Sequence, residues 1–209
     1  MRKLKKKGGL GAFFKKLVLT VILFPVFFLG FYMLYPNVGA LKEKNPGKTA
    51  FMRYREREWK RGGVDRKIIQ TWAPISKISS NVVKAVIISE DDKFWTHEGF
   101  DFEALEDAAR KNLERKQFAF GASTISQQLA KNLYLSPEKS VIRKLKEGII
   151  TWRLERALSK RRILELYLNV AEWGEGVFGI EAAARHYYHK SAAALTASQA
   201  AHLAAVLPN

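Results

Sequence analysis

Glu90 is an acidic residue at a position where the surrounding hydrophobic pattern asks for an apolar side chain. If the helix predicted over the preceding residues continues, Glu90 falls on the same stripe as Val83, Val86, Ile87 and Phe94. Acidic side chains are seldom fully buried without a partner, and desolvation raises the pKa of a carboxyl group toward the range that suits proton transfer. The pattern therefore predicts a proton-transfer group at Glu90. The alternative is that the helix ends before Glu90 and that the neighbouring acids form a solvated cluster.

A second group of polar side chains follows a predicted helix start within residues 121–132 (GASTISQQLAKN). On a helix begun at Thr124, the side chains of Thr124, Gln127, Gln128 and Lys131 share one face. Two amides and an ammonium group on one face could hold a sugar and a phosphate, and the free N–H groups at a helix amino terminus favour an anion. A capped amphipathic helix without a binding role fits the same pattern.

A third segment concentrates positive charge around one acid. Arg143, Lys144 and Lys146 precede Glu147, and Lys139 lies just upstream. Because Arg143 and Glu147 are one helical turn apart, they can form an ordinary surface ion pair worth about 0.3–0.5 kcal/mol. The cluster also matches the charge of a diphosphate, bound directly or through a divalent ion held by the carboxylate.

Signatures of metals and cofactors are sparse. The chain contains no cysteine, which excludes disulfides, thiolate zinc sites and cysteine nucleophiles. His97 has no second histidine at ligand spacing and is interpreted as a packing or hydrogen-bonding residue. No glycine-rich phosphate loop is found, so we expect no organic cofactor. The segment Lys160–Asn169 is interpreted as structural.

The positive charge, +16 in total, is concentrated at the amino terminus. Residues 1–16 carry seven basic side chains and no acid, and residues 17–35 then run uncharged for about 30 Å as a helix. This predicts a cytoplasmic tail (1–16) and an uncleaved membrane anchor (17–35), with the rest outside. The alternative is a cleaved signal peptide, although the apolar run exceeds the usual length. A domain beyond the membrane meets no chromosome, so we expect no nucleic-acid partner.

The periodicity of the remaining chain predicts an all-α fold. Residues 36–62 are interpreted as a linker with a short charged helix near residues 53–60, and residues 68–78 as extended. Helices are then predicted from caps and from apolar residues spaced three and four apart, and no alternating strand set of any length is found. The predicted helix starts are Asn81, Phe102, Ser123 or Thr124, Ser136-Pro137, Ser159, Ile180 and Thr196.

Four segments, in this order, resemble the four motifs of the peptidoglycan glycosyltransferase family (glycosyltransferase family 51), the lysozyme-like domain of monofunctional and class A bifunctional cell-wall synthases. They are Glu90–Gly99 (EDDKFWTHEG), Gly121–Asn132 (GASTISQQLAKN), Arg143–Glu147 (RKLKE) and Lys160–Asn169 (KRRILELYLN). The resemblance implies an all-α, lysozyme-like helical domain at residues 63–209 with one N-terminal transmembrane helix, the monofunctional type. In the last helix Gln199 stands where the family often has an acid. Family members usually continue beyond that helix, which leaves a truncated carboxyl end open.

The resemblance implies polymerisation of lipid II, a disaccharide-pentapeptide on undecaprenyl diphosphate, into β-1,4 glycan strands. Glu90 corresponds to the family's general base, which takes the proton of the acceptor's 4-hydroxyl group. That oxygen displaces undecaprenyl diphosphate from the anomeric carbon with inversion. Glu147 corresponds to the second acid, which acts at the diphosphate with a divalent cation (Mg²⁺ or Mn²⁺) or with the basic cluster. The alternatives are a lytic enzyme or hydrolase of similar fold, which needs no diphosphate site, and an inactive scaffold, against which the two acids count.

The other motif positions are carried over from the family as substrate-binding residues. They are Asp91, Lys93, Phe94, His97, Ser123, Thr124, Gln127, Gln128, Lys131, Asn132, Lys139, Arg143 and Lys144. Lys139 stands where arginine is often found, and a lysine cannot make arginine's bidentate phosphate contact. The expected partners are lipid II, the growing glycan strand, membrane lipid and other cell-wall synthesis proteins. Residues 118–120 suit an amphipathic lip that contacts the lipid, and a mobile loop with two partly packed aromatic side chains fits the same residues. The expected location is the bacterial cytoplasmic (inner) membrane, with the catalytic domain on its outer, periplasmic face.

Overall fold

The computed structural model describes residues 9–115, 121–138 and 140–207. The chain divides into two compact units, one ending at Asn37 and the other covering Val38–Asn209. In the first unit, helix α1 (Gly9–Leu34) runs unbroken through Pro25, and its described side chains are almost all exposed. Within the described residues one candidate membrane span is found, Phe13–Lys42, with a mean hydropathy of 2.5. This is compatible with the predicted anchor.

The second unit is built of helices, as predicted. In chain order they are α2 (Ala50–Arg61), α3 (Ser80–Glu90), α4 (Phe102–Arg115), α5 (Ile125–Tyr134), α6 (Val141–Ala157), α7 (Lys160–Val170), α8 (Ile180–Tyr188) and α9 (Ala197–Ala205). Helix α5 packs against α2, α6 and α7, and α3 packs against α9. Because α5 is enclosed on several sides, even its polar residues Gln127, Gln128 and Asn132 are buried. Buried polar groups need hydrogen-bond partners, so this helix carries a polar network into the core.

Side-chain caps set the helix starts. Thr124 and Thr196 form capping boxes and Ser159 caps α7, all three at predicted starts. Helix α3 is capped by Ser79 instead of Asn81, because the Asn81 side chain donates to the Leu195 carbonyl group.

Helix α6 also begins later than predicted. It starts at Val141, capped by Ser140, whereas the sequence predicted a start at Ser136-Pro137. The Ser140 hydroxyl group accepts the Arg143 N–H at 3.1 Å, which is the bond that a cap must make. Pro137 lies before the helix.

A small sheet accompanies the helices. Strand β1 (Ile69–Gln70) lies in the predicted extended stretch and pairs in parallel with β3 (Val177–Phe178). Strand β2 (Glu172–Gly174) pairs antiparallel with β3. The sequence predicted no strand at β2 or β3, because strands of two or three residues are too short to show alternation.

Helix α2 belongs to the second compact unit, which differs from the predicted linker. Its residues Phe51, Met52 and Trp59 are buried. The Arg55 guanidinium group donates to both carboxylate oxygens of Glu172 at 2.8–3.0 Å. Of the charged residues that suggested a solvated helix, Arg55 thus forms an ion pair with a distant part of the chain.

Candidate active site

Glu90 is the last residue of α3 and lines a cleft of about 510 Å³. The walls of this cleft come from the start of α4, from residues 121–124 and from Gln128 and Lys131 on α5. Helix α3 ends at Glu90, so Phe94 is not part of the predicted stripe. It lies in the following turn and is fully buried.

The carboxyl group of Glu90 is half-buried and paired with an amide. Gln128 Nε2 donates to Glu90 Oε2 at 2.7 Å. Burial raises the pKa of Glu90 above its ordinary value and Asp91 raises it further, while the Gln128 hydrogen bond and the charge of Lys131 lower it. The alternative of a solvated acidic cluster therefore describes the exposed Asp92 but not Glu90.

Asp91 and His97 connect the segment after Glu90 to the start of α5. Asp91 Oδ2 accepts the Ile125 N–H at 2.9 Å, and both Asp91 oxygens lie 2.9–3.0 Å from His97 Nε2. His97 Nδ1 accepts the Gly99 N–H at 2.9 Å, which assigns the ring proton to Nε2. Both side chains lie below 10 % exposure, at 2 % for Asp91 and 8 % for His97. They bind protein groups and position the segment that carries Glu90.

Lys160 and Glu155, which were not predicted as site residues, support the segment that follows Glu90. Lys160 Nζ donates to Glu155 at 2.8 Å and lies 4.7 Å from the centre of the Phe94 ring. The same Nζ atom is 3.5 Å from His97 Nδ1. Ser126, on the first turn of α5, donates to Glu155. The contacts therefore join α5, α6 and α7 beneath the segment that follows Glu90.

The polar face predicted for α5 divides into two parts. Thr124 and Gln127 form the capping box, and the Thr124 hydroxyl group also donates to the Gly99 carbonyl at 2.8 Å. Gln128 and Lys131 line the cleft, as Thr124 does, whereas Gln127 does not. Asn132 is buried and is not part of the cleft wall. Gln127 therefore supports the helix start, while Gln128 and Lys131 form part of the cleft wall.

Glu147 is buried at the centre of a basic cluster on α6. Its carboxylate accepts from Arg143 and from Lys144, and Lys144 Nζ also donates to Ser123 Oγ at 3.1 Å. Ser123 lines the cleft, so this chain of contacts connects Glu147 to the wall that Glu90 shares.

Lys131 lies within the electrostatic influence of both acids. Its burial lowers its pKa below the ordinary lysine value, as do Arg143 and Lys144, whereas Glu147 and Glu90 raise it. The pKa of Lys131 thus depends on Glu90 and on the charged residues around Glu147 together.

The residues around Glu147 fit a cluster of cations better than a metal site. Both carboxylate oxygens of Glu147 already accept from a cationic side chain. Within residues 9–115, 121–138 and 140–207, no three histidine, aspartate or glutamate side chains converge to hold a metal ion. The predicted divalent cation stays a prediction, while Arg143, Lys144 and Lys131 concentrate positive charge around Glu147.

The predicted residue Lys93 does not line the cleft. The Lys93 side chain is partly exposed and pairs with the exposed Glu103 on α4. Lys139 lies outside the described residues, as does the predicted lip at 118–120.

A helical domain that sets a carboxyl group of raised pKa and several cations around one cleft has the groups needed to transfer a sugar from a phosphate-linked donor. The family profile described as Transglycosylase matches residues 59–209. The chain is 48% identical, over 96% of its length and 86% of the relative, to the biosynthetic peptidoglycan transglycosylase of Dechloromonas aromatica. It is 52% identical to that of Methylobacillus flagellatus over 80% of its length and 73% of the relative.

This chain belongs to the transglycosylase family, whose domain is helical and lysozyme-like. It is accordingly an enzyme of the glycosyltransferase class. The four motifs read in the sequence lie inside the matched region.

Proposed function

We propose that this protein is a membrane-anchored peptidoglycan glycosyltransferase that polymerises lipid II into β-1,4 glycan strands. The observation that carries the proposal is the cleft in which Glu90, with a raised pKa, and Lys131 share a wall with Ser123, which contacts the basic cluster. One side of this cleft suits proton removal from a sugar hydroxyl group, and the other suits the negative charge of a diphosphate.

Glu90 acts as the general base in this reaction. Its carboxylate removes the proton from the 4-hydroxyl group of the acceptor's N-acetylglucosamine. The freed oxygen forms a bond to the anomeric carbon of the growing chain, and the bond from that carbon to the diphosphate oxygen breaks. Attack from the face opposite the leaving group inverts the anomeric centre from α to β. The raised pKa makes the carboxylate a better proton acceptor than an ordinary glutamate.

The cations stabilise the departing undecaprenyl diphosphate. Negative charge develops on its bridging oxygen as the glycosidic bond breaks, and fixed positive groups stabilise that charge without reorganisation. Lys131 supplies an ammonium group at the cleft wall, and Arg143 and Lys144 supply charge from α6. Glu147 orients these two side chains through its paired oxygens. A hydrolase that cuts finished glycan needs no such cluster.

Membrane anchoring belongs to the same proposal. The substrate carries a polyprenyl tail that stays in the bilayer, so an enzyme held in that membrane meets it at high local concentration. The apolar helix α1 and the basic residues before it support a single-pass anchor with the catalytic domain on the periplasmic face of the inner membrane.

On α4, Phe102 and Leu113 are 73% and 81% exposed. They lie on one side of the helix and supply an apolar surface for membrane lipid.

The experiment supplies the full-length protein, in detergent or in vesicles, with lipid II and separately with finished cell wall. We expect glycan strands and free undecaprenyl diphosphate from lipid II, and no fragments from the wall. Release of fragments from the wall without consumption of lipid II would instead establish a lytic enzyme.

Glu90→Gln tests the role of the base. The amide keeps the shape of the side chain but cannot take a proton, so we expect polymerisation to fall by about 10²- to 10⁴-fold. Lipid II binding, measured by fluorescence anisotropy with a labelled substrate, should stay measurable. The melting temperature should not fall, because the substitution removes a partly buried charge. Turnover within about threefold of the wild-type rate would reject Glu90 as the base.

A further inference from the structure

Tyr167, on α7, lies next to the catalytic carboxylate without lining the cleft. Its side chain is 1% exposed, and its hydroxyl group donates to Gln128 Oε1 at 3.0 Å. The other end of the same amide donates from Nε2 to Glu90 Oε2 at 2.7 Å. A single amide therefore joins a buried phenol to the base. The sequence pattern predicted a structural role for the segment that contains Tyr167.

We propose that Tyr167 is a positioning residue for the transfer reaction: its hydroxyl group fixes the Gln128 amide so that the NH₂ group faces the Glu90 carboxylate. This inference rests on the proposed function, because it assigns Glu90 the role of the base. Tyr167 acts through Gln128 and makes no contact with substrate.

The geometry explains why a phenol can select one orientation of the amide. If the Gln128 amide turned over, its carbonyl oxygen would face the Glu90 carboxylate, and two acceptors would then oppose each other. The Tyr167 hydroxyl group would face the NH₂ group and would lose the acceptor for its own proton. Within the described part of the chain, Gln128 Oε1 is the one recorded hydrogen-bond acceptor of that hydroxyl group. A buried donor without an acceptor costs about 1–3 kcal/mol, so the observed orientation is favoured.

Tyr167 keeps its proton across the working pH range. Burial raises the pKa of Tyr167 well above its ordinary value, and the charges of Glu90 and Asp91 raise it further. The hydroxyl group is therefore a donor whenever Glu90 is ionised. The other charged groups that act on Glu90 are Asp91, which follows it in the chain, and Lys131 on α5. Asp92 and Asp101 line the same cleft.

Tyr167→Phe removes the hydroxyl group and keeps the ring. Without it the amide is free to turn, and Glu90 loses part of the hydrogen bond that holds its pKa down. Protonated Glu90 cannot act as a base, so the acidic limb of the kcat profile for lipid II polymerisation should move to higher pH. We expect kcat near neutral pH to fall by about 3- to 30-fold and KM to change by less than about twofold, since about 1–2 kcal/mol of hydrogen bonding is lost.

A matched control is Tyr54→Phe on α2. Like Tyr167, Tyr54 donates its hydroxyl proton to another side chain, here Glu58 Oε1 at 2.7 Å, but this partner is neither Gln128 nor Glu90. This variant should keep the wild-type pH profile and kcat. If Tyr167→Phe also kept both, the proposal would be overturned.

A double-mutant cycle tests whether Tyr167 acts through Gln128. Gln128→Met fills a similar volume but removes the hydrogen bonds of the side chain to Tyr167 and to Glu90. It should therefore also move the acidic limb to higher pH. Adding Tyr167→Phe to it should change kcat by less than about twofold. If the fall in kcat of the double variant equalled the product of the two single falls, the proposal would be contradicted. If Tyr167→Phe proves too unstable to assay, the displaced limb of Gln128→Met supports the connection, and an undisplaced limb rejects it.

A titration without substrate separates this inference from the proposed function. The side-chain carboxyl carbon of Glu90, assigned by its loss in Glu90→Gln, is followed by NMR in the full-length protein in detergent. Glu90 should titrate at higher pH in Tyr167→Phe than in the wild type, whether or not either protein polymerises lipid II. Equal titration curves would reject the positioning role of Tyr167, while a lack of polymerisation by the wild type would reject the proposed function alone.

Discussion

Glu90 and Lys131 face one cleft with pKa values displaced toward each other. Burial raises the pKa of Glu90 and lowers that of Lys131, because it disfavours the charged form of both groups. The proposed reaction needs Glu90 without its proton and Lys131 with its proton. The same desolvation that makes each group effective therefore narrows the pH range in which both are in the required state.

The pH dependence of polymerisation should follow these two groups. Activity should fall as the pH drops through the raised pKa of Glu90, at a higher pH than for an ordinary glutamate. It should also fall as the pH rises through the lowered pKa of Lys131, giving a bell-shaped profile of kcat/KM for the free enzyme. The profile is measured with lipid II in a constant-ionic-strength buffer series.

Lys131→Arg identifies the basic limb. Arginine stays protonated throughout the accessible range, so this limb should move to higher pH while the acidic limb stays in place. The rate at the optimum can fall because the guanidinium group has a different shape, which is why the position of the limb is the readout. An unmoved basic limb would exclude Lys131 as the group that sets it.

The residues proposed to carry the chemistry stand out in the sequence more clearly than the residues that hold them in place. Glu90 breaks a local hydrophobic pattern, and Glu147 lies among cations within one helical turn, so both are visible in a short window of sequence. Tyr167 contacts Gln128, 39 positions away, and Glu155 contacts Ser126, 29 positions away, in addition to the nearby Lys160. Nothing in their own surroundings in the sequence distinguishes them from ordinary helix residues, so only the packed structure reveals them.

At the scale of elements, four separate segments are joined beneath the cleft by one closed series of contacts. Asp91 bonds to His97, His97 contacts Lys160, and Lys160 pairs with Glu155. Glu155 accepts from Ser126, whose neighbour Ile125 donates its N–H back to Asp91. The series fixes the segment after Glu90 relative to α5, which carries Gln128 and Lys131.

Glu155→Gln should weaken this series at its lysine–carboxylate pair. Glu155 is 8% and Lys160 is 21% exposed at the side chain, so the lysine would lose its counter-charge in a partly desolvated place. We expect unfolding to become easier by about 1–3 kcal/mol and kcat to fall by about tenfold, since small displacements of positioned groups are costly. Thermal melting and lipid II turnover measure the two effects.

The exposed ion pair between Lys93 and Glu103 provides the matched control. Glu103 is 83% exposed at the side chain, so Glu103→Gln should change the stability by no more than about 0.5 kcal/mol. Equal effects of the two substitutions would mean that the contacts around Glu155 do not hold the site.

The exposed apolar side of α4 predicts that this helix contacts the membrane. Phe102 and Leu113 lie on the same side of the helix, and Ala104 between them lines the cleft. The chain has no cysteine, so a single nitroxide label can be placed without removing native residues.

A nitroxide at Leu113→Cys, in the full-length protein in vesicles, should collide more with oxygen than with a water-soluble nickel complex, because oxygen concentrates in the hydrocarbon region. A label at Val206→Cys, a 54% exposed position after α9, should show the reverse preference. Equal accessibility at the two sites would contradict a membrane-contacting role for α4.

For the whole molecule, the two units differ in how far sequence patterns predict them. The apolar helix needs no tertiary contact to be recognised, since its composition and length are sufficient. Most helices of the second unit were also predicted from caps and apolar spacing. Helix α2 was predicted to be part of a linker, because its charged side chains suggest a solvated helix. The structure shows that Arg55 pairs with Glu172, which is 117 positions away. Local patterns predict elements, whereas the membership of an element in a domain depends on distant partners.

The predicted orientation of the anchor follows from the charge at the two ends of the span. The seven basic residues before position 17 should stay in the cytoplasm, because the excess of lysine and arginine sets the orientation of a single span. Alkaline phosphatase fused after residue 209 should then be active, since its disulfides form only outside the cytoplasm, whereas a cytoplasmic reporter at the same place should be inactive. Replacing the seven basic residues with glutamine should lower the phosphatase signal per molecule. A phosphatase fusion that is inactive in the unaltered chain would place the cleft on the cytoplasmic side and contradict the proposed topology.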